Sequence, residues 1–184
     1  MVRIKRRQLL LGVSSLVLYT AAKQLYAADG IIMGDVGIDH KRLLSEAVRL
    51  AQENRRQGGR PFGAVLTMSG EVVATGVNTI VQTHDVSAHA EMGALRTACH
   101  RLGRPDLKGS VVYASGHPCP MCLAAMVMAR VDEVYYAFGN DEAEPYGFSN
   151  APIYQALRLP LPTSLRLTRL DVGVPAAQVY GSEL

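Results

Sequence analysis

The chain has 184 residues, of which 48% are hydrophobic and 19% charged, with 17 glycines, 9 prolines, 3 cysteines and no tryptophan. That length and apolar content fit one ordinary domain with a sizeable core and exclude a disordered chain. Three cysteines cannot complete a disulfide framework, and no apolar run approaches the ~20 residues that span a bilayer. The formal charge of +3 arises wholly from residues 1–28, where Arg3, Lys5, Arg6, Arg7 and Lys23 meet no acid; from Asp29 onward 14 basic residues face 16 acidic ones. A partner nucleic acid is not expected, because polyanion binding calls for a basic folded surface.

Residues 1–28 have the order of a signal peptide: a basic cluster, the uncharged stretch Leu9–Ala22, then small residues ending Ala27-Ala28. Arg6-Arg7 ahead of Gln8-Leu9-Leu10 resembles the twin-arginine signal, whose pathway exports folded proteins. Periplasmic or other export is therefore expected. Leu25 or Tyr26 three residues before the cut makes an uncleaved membrane anchor the alternative.

Residues 39–184 read as one domain. Asp39 is an N-cap, and Leu44, Ala47, Val48 and Ala51 recur at helical spacing, predicting a helix from His40 to Gln57 that Gly58-Gly59 ends. Strands from Phe62 to Met68 and from Glu71 to Val77 flank Ser69-Gly70 as a hairpin. A polar loop from Asn78 to Ser87 leads into an Ala-rich helix, His89 to Leu102, closed by Gly103 and Pro105. Ser110 to Ser115 is a strand, Cys119 to Arg130 a helix, and Asp132 to Phe138 a strand. Residues 141–158 suggest one or two short helices around Gly147, Leu165 to Leu170 alternates like a strand, and the tail from Pro175 shows little pattern. Alternating strands and helices predict an α/β domain with helices on both faces of one sheet.

Two short patches carry chemistry: His89-Ala90-Glu91 and Pro118-Cys119-Pro120-Met121-Cys122. Each lies where the chain enters a helix. Cys119 and Cys122, three apart in a first turn, put their sulfurs on one side, and Pro120 suits the first helical position. A helix N-terminus favours the thiolate that a metal requires. Two thiolates and one imidazole with no fourth Cys or His at metal spacing make a catalytic zinc site with an open position. His117 is turned away by Pro118. A zinc-bound hydroxide would be the nucleophile at neutral pH, and Glu91 would carry its proton. Chance agreement at five fixed positions is on the order of 10⁻⁴ or less. A redox Cys-x-x-Cys pair leaves His89 and Glu91 unexplained, and a structural zinc site lacks its fourth ligand. By default Asn78 is a turn residue, Phe62 core, Cys99 a buried small hydrophobe, His40, His84 and His100 surface residues, and Arg55, Arg56 and Arg60 a solvated helix end.

His-x-Glu followed by Pro-Cys-x-x-Cys is the signature of zinc deaminases, and from about Leu43 to Phe148 the chain resembles the cytidine and deoxycytidylate deaminase superfamily, most closely its bacterial guanine deaminase branch. Gly59-Arg-Pro-Phe-Gly-Ala-Val, Gly76-Val-Asn78, Ser87-Ala-His89-Ala-Glu91 and Pro118-Cys119-Pro-Met-Cys122-Leu-Ala-Ala-Met carry the likeness. The resemblance implies a three-layer α/β/α sandwich around a five-stranded mixed sheet. It implies one zinc per subunit on His89, Cys119 and Cys122, with Glu91 as proton shuttle. Phe62 and Asn78 would hold the base beside Ala90, with Asp141, Glu142 and Tyr180 as further candidates. A homodimer, with the C-terminal segment exchanged in some relatives, is expected too. His117 departs from the Glu that many members carry there, and Pro145 and Tyr146 crowd the expected rim. The implied reaction is hydrolytic deamination of a free purine base. Alternatives are cytosine, a nucleoside, a pterin or tRNA adenosine as substrate, or a non-catalytic zinc-stabilised binding domain of the envelope.

Overall fold

The computed structural model describes residues 38–158 and 160–181. The expected leader lies outside the described residues. Among those described, no helix is long and apolar enough to cross a membrane.

Helix α1 (His40–Arg56) starts where the Asp39 carboxylate accepts the Arg42 backbone N–H at 2.9 Å, which satisfies one of the unpaired donors of a first turn. Its buried residues, Leu43, Leu44, Ala47, Val48 and Ala51, fall every three or four positions and form one apolar stripe. The hairpin of β1 (Gly63–Met68) and β2 (Glu71–Val77) turns on Ser69 and Gly70, with φ of 53° and 81°. Two left-handed residues in a two-residue loop match the right-handed twist of the paired strands.

The polar loop that follows contains a short helix, α2 (Ile80–Thr83), which the sequence pattern did not show. Helix α3 (Ala90–Leu102) has His89 at its N-cap and ends on Gly103 at φ 64°. Strand β3 (Ser110–Gly116), helix α4 (Pro120–Met128) and strand β4 (Glu133–Phe138) form a β-α-β crossover. Residues 140–157 fold as α5 (Asn140–Ala143), a 3₁₀ turn (Glu144–Tyr146) and α6 (Ala151–Leu157). Strand β5 (Arg166–Arg169) completes the sheet, and the tail closes with α7 (Ala176–Tyr180).

The strand order is β2-β1-β3-β4-β5. β1 runs antiparallel to both neighbours, while β3, β4 and β5 are parallel. Strand alternation feeds two cores. Ala64, Leu66, Val112 and Val134 face α3 and α4, and Val65, Tyr113 and Ala137 face α1 and α7. The result is the three-layer sandwich around a mixed five-stranded sheet.

Two glycines set how closely the layers approach. A Cβ on Gly76 would overlap the Ala90 carbonyl oxygen, and one on Gly63 would overlap that of Ala47. Helix backbones thus lie directly on the strands, α3 on β2 and α1 on β1. The first contact holds the start of α3, which carries His89 and Glu91, against the sheet.

The far face corrects two expectations. His40 is half-buried: its Nδ1 lies 2.9 Å from the Tyr113 hydroxyl and its ring stacks on Tyr135 at 4.3 Å. Arg55 donates to the Val179 carbonyl at 3.2 Å and so ties α1 to α7. The tail carried no periodic signal because its helix is five residues long and depends on Val179 and Tyr180 entering a core built by other elements.

Candidate active site

Two helices begin at the same place. His89 is the N-cap of α3 and Cys119 the N-cap of α4, both with extended backbone, and Pro120 opens α4. Cys122 follows one turn later. The Cys119 and Cys122 Sγ atoms lie 3.6 Å apart, and His89 Nδ1 is 3.6 Å from the first and 3.7 Å from the second. Zinc bonds of about 2.3 Å to sulfur and 2.0–2.1 Å to nitrogen at tetrahedral angles give S···S and S···N edges of about 3.8 and 3.6 Å. The three donors therefore already stand at three corners of a zinc tetrahedron. Among the described residues they form the one His/Cys/Asp/Glu group within metal-binding reach. His117 is not part of it, as its position beside Pro118 predicted.

The electrostatics suit a cation. The N-terminal ends of α3 and α4 both converge on the sulfurs and favour their ionised form. The hydrogen bond from the Cys122 thiol, helped by His89, lowers the Cys119 thiol to about 4. Cys122 is raised well above its ordinary value by sharing that same proton and by burial. His89 is raised too, chiefly by its hydrogen bond with Cys119. A metal that replaces the shared protons removes the reason for both upward shifts.

Glu91 stands in the first turn of α3, only 7% exposed, and lines the pocket beside the donors. Burial pushes its carboxyl above the usual carboxylate range. A carboxyl whose charged form is disfavoured by burial is suited to take up a proton and return it.

The pocket has a volume of about 150 Å³, and Phe62, Asn78, His89, Glu91, Cys119 and Phe148 are among its walls. Asn78, 1% exposed, directly follows β2, and its Oδ1 accepts the Ile80 N–H at 3.2 Å. The amide NH₂ is thereby left as the group it can offer a ligand. Phe62 meets the Phe148 ring edge-on at a centroid distance of 5.7 Å.

Sequence reasoning missed several contributors. Asn54 of α1 donates through Nδ2 to the carbonyls of Arg60 and Asn78, both at 2.7 Å, and so braces the two loops that hold Phe62 and Asn78. A signal existed, since Asn54 is a polar residue on the apolar stripe of α1. Arg60, assigned to a solvated helix end, lines the pocket, as do Ser149 and Asn150.

Other candidates are placed elsewhere. Glu142 does not line the pocket: its Oε2 is 2.8 Å from Arg169 Nη2 and accepts the Gly139 N–H at 2.8 Å. Asp141 and Ala90 are likewise absent from the walls, Ala90 because it is fully buried under β2. Tyr180 lies behind the wall, its ring packed on Phe62, Phe138, Tyr146 and Phe148. Its hydroxyl is buried without a partner among the described residues, and burial raises its pKa. We expect Tyr180→Phe to keep kcat/KM within about threefold, roughly 0.7 kcal/mol of barrier. Stability should rise by about 1 kcal/mol as the unsatisfied hydroxyl is removed. A tenfold fall in kcat/KM at unchanged melting temperature would instead put the hydroxyl on the substrate.

This sandwich and this donor set define a zinc deaminase. Residues 38–138 match the cytidine and deoxycytidylate deaminase zinc-binding region, and the chain belongs to that family of hydrolases acting on C–N bonds. It is 40% identical over 124 residues to guanine deaminase of Bacillus subtilis, covering 67% of this chain and 80% of that protein. The X-ray structure of the Bacillus enzyme superposes with a TM-score of 0.64 at 41% identity, over 66% of this chain and 78% of that one. A tRNA-specific adenosine deaminase of Agrobacterium fabrum is 42% identical over 87 residues, 46% of this chain and 57% of that protein. Guanine deaminase from Nitrosomonas europaea shares the fold at 24% identity and a TM-score of 0.65, over 76% and 81% of the two chains.

Proposed function

We propose that the protein hydrolytically deaminates a free aminated base, with guanine or a closely similar purine as substrate. The observation that carries this reading is the cluster of His89, Cys119 and Cys122, of which His89 and Cys119 line the same pocket as the buried carboxyl of Glu91. The three donors would hold one zinc ion per chain, and when bound the ion supplies a Lewis acid that lets water attack at neutral pH.

The chain's own residues supply the rest. Glu91 would take one proton from the attacking water and give it to the ring nitrogen, then take the second from the hydroxyl of the tetrahedral adduct and give it to the amine, so that the C–N bond breaks and ammonia leaves. Its burial keeps bulk water from short-circuiting that transfer. Asn78 offers N–H donors to an acceptor on the base, and Phe62 gives the ring a flat apolar contact.

A small substrate is favoured by size. At about 150 Å³ the pocket is well under the ~300 Å³ at which sites for larger ligands begin. The likeness to a guanine deaminase over four fifths of that protein supports a purine. Cytosine, a nucleoside or a pterin would use the same chemistry. The acidic balance from Asp29 onward weighs against tRNA. The leader in residues 1–28 supports export of the enzyme, or its anchoring by an uncleaved leader.

Ammonia release measured over guanine, adenine, cytosine, cytidine and pterins tests the reading. Guanine is expected to be turned over fastest. Turnover of a nucleoside ahead of every free base overturns the choice of substrate. Tight zinc with no turnover of any amine favours a zinc-stabilised binding domain.

A further inference from the structure

His117 lines the pocket, and its ring is packed and hydrogen-bonded on several sides. Tyr136 and Tyr154 meet it edge-on, with centroid distances of 4.9 and 5.6 Å and interplanar angles of 75° and 79°. Its backbone is tied at both ends: its N–H donates to the Phe138 carbonyl at 2.8 Å, and its carbonyl accepts Asn150 Nδ2 at 3.0 Å. The Nδ1 atom lies 3.0 Å from the Pro118 carbonyl oxygen, which also accepts the Tyr154 hydroxyl at 2.7 Å. A carbonyl can only accept, so Nδ1 carries the proton and the neutral ring presents Nε2 as an acceptor. Among the described residues Nε2 has no hydrogen-bond partner and is not a fully buried atom, and His117 is one of the residues that line the pocket.

We propose that His117 is a specificity-determining residue: Nε2 accepts a hydrogen bond from a ring N–H of the bound heterocycle, complementing the donor that Asn78 supplies. The inference rests on the proposed deamination of a free base and deepens it. The pocket then reads two features at once, an acceptor on the base through Asn78 and a donor through His117.

The chemistry of the candidates makes this selective. In a cytidine the only base N–H groups are those of the amine that leaves. Free guanine keeps ring N–H groups on both its six-membered ring and its imidazole. A ligand that covers this acceptor without satisfying it is penalised, because the nitrogen loses its contact with water and gains no partner. His117 therefore favours guanine over the derivative substituted at the nitrogen it faces, and over cytidine, which has no ring N–H.

The test uses the zinc-loaded full chain, with binding followed by calorimetry and turnover by ammonia release. The ligands are guanine and its 1-methyl, 7-methyl and 9-methyl derivatives. The parent is expected to bind at least one methyl derivative about tenfold or more weakly than guanine, the scale of one lost hydrogen bond. His117→Phe, which keeps the edge-on packing but has no acceptor, should erase that gap with unchanged zinc content. His117→Gln, which returns an acceptor near the Nε2 position, should restore it. If the parent binds all four ligands alike, or if His117→Phe keeps the parent's pattern, the inference fails while the proposed reaction stands. A parent that binds no base overturns both. Should His117→Phe not fold, the parent's comparison of guanine with its methyl derivatives decides, together with His117→Gln.

Discussion

Cys122→Ser should leave a protein that no longer retains zinc and releases no ammonia. Two thiolates and one imidazole make up the donor set, and each stands at a corner of the same tetrahedron. Changing groups that merely orient ligands costs 10–100-fold in metal affinity, so loss of a ligand should cost at least ~10²-fold. Zinc measured after desalting, alongside the melting temperature with and without chelator, checks this. The parent should melt lower once stripped, because an ion that binds the folded chain stabilises it, and the variant should show no such difference.

The same site has a definite pH dependence. Without metal, Cys122 and His89 are raised from their ordinary values by hydrogen bonding to Cys119. Zinc needs both thiols deprotonated and the imidazole neutral, so loading expels protons. Raised values mean that more of these protons remain bound at a given pH. Apparent affinity should therefore fall as pH falls, by about tenfold per unit for each proton displaced. An affinity flat between pH 8 and 6 would show that the donors are not the ones named. Retention of zinc and full turnover in Cys122→Ser would show the same.

Glu91→Gln is expected to lose ~10² to 10⁴ in kcat while zinc content is kept, the range for removal of a general acid-base group. The amide has nearly the shape of the carboxylic acid and fits the same buried place at the start of α3. Stability should not fall, because burial already disfavours the charged form of Glu91 and an amide has no charge to desolvate. The loss should appear in kcat more than in KM, as for an interaction made during proton transfer. Parent-rate ammonia release from this variant would remove Glu91 from the mechanism. Unaltered base binding with no turnover in either protein would point to the binding-domain reading.

The candidate donors His89, Cys119 and Cys122, which the structure brings together, and Glu91 beside them could be singled out because their sequence pattern is local. His89 and Glu91 are two residues apart, Cys119 and Cys122 three, and the helix starts that present them are marked by Pro120 and by the Ala-rich run after His89. The hairpin at Ser69-Gly70 and the stripe of α1 were readable for the same reason, since period and turn chemistry act over a few residues. The candidates beyond Gly139 were harder. Glu142 was expected near the substrate, but β5 lies parallel beside β4 and brings Arg169 within 2.8 Å of its carboxylate. That pairing is set by a strand more than twenty positions away.

Long-range placement also explains what was missed. Asn54 stands out as a polar residue on the apolar stripe of α1, but its role appears only once α1 lies on β1, where its amide reaches two loop carbonyls. Tyr180 could be guessed as useful, yet only packing shows it behind Phe62 and Phe148 instead of facing the pocket. His117 stood out as a departure, but its acceptor nitrogen emerges only when Pro118, Tyr136 and Tyr154 fix the ring.

Spacing within single turns thus marked the candidate donors, and the alternation of strands and helices marked the α/β class, because both patterns depend on near neighbours in the chain. The shape and polarity of the pocket were decided by the assembled sheet. A hydrogen bond or an aromatic contact requires groups within a few ångströms, and for Asn54, His117, Glu142 and Tyr180 much of that distance is closed by residues far apart in the chain.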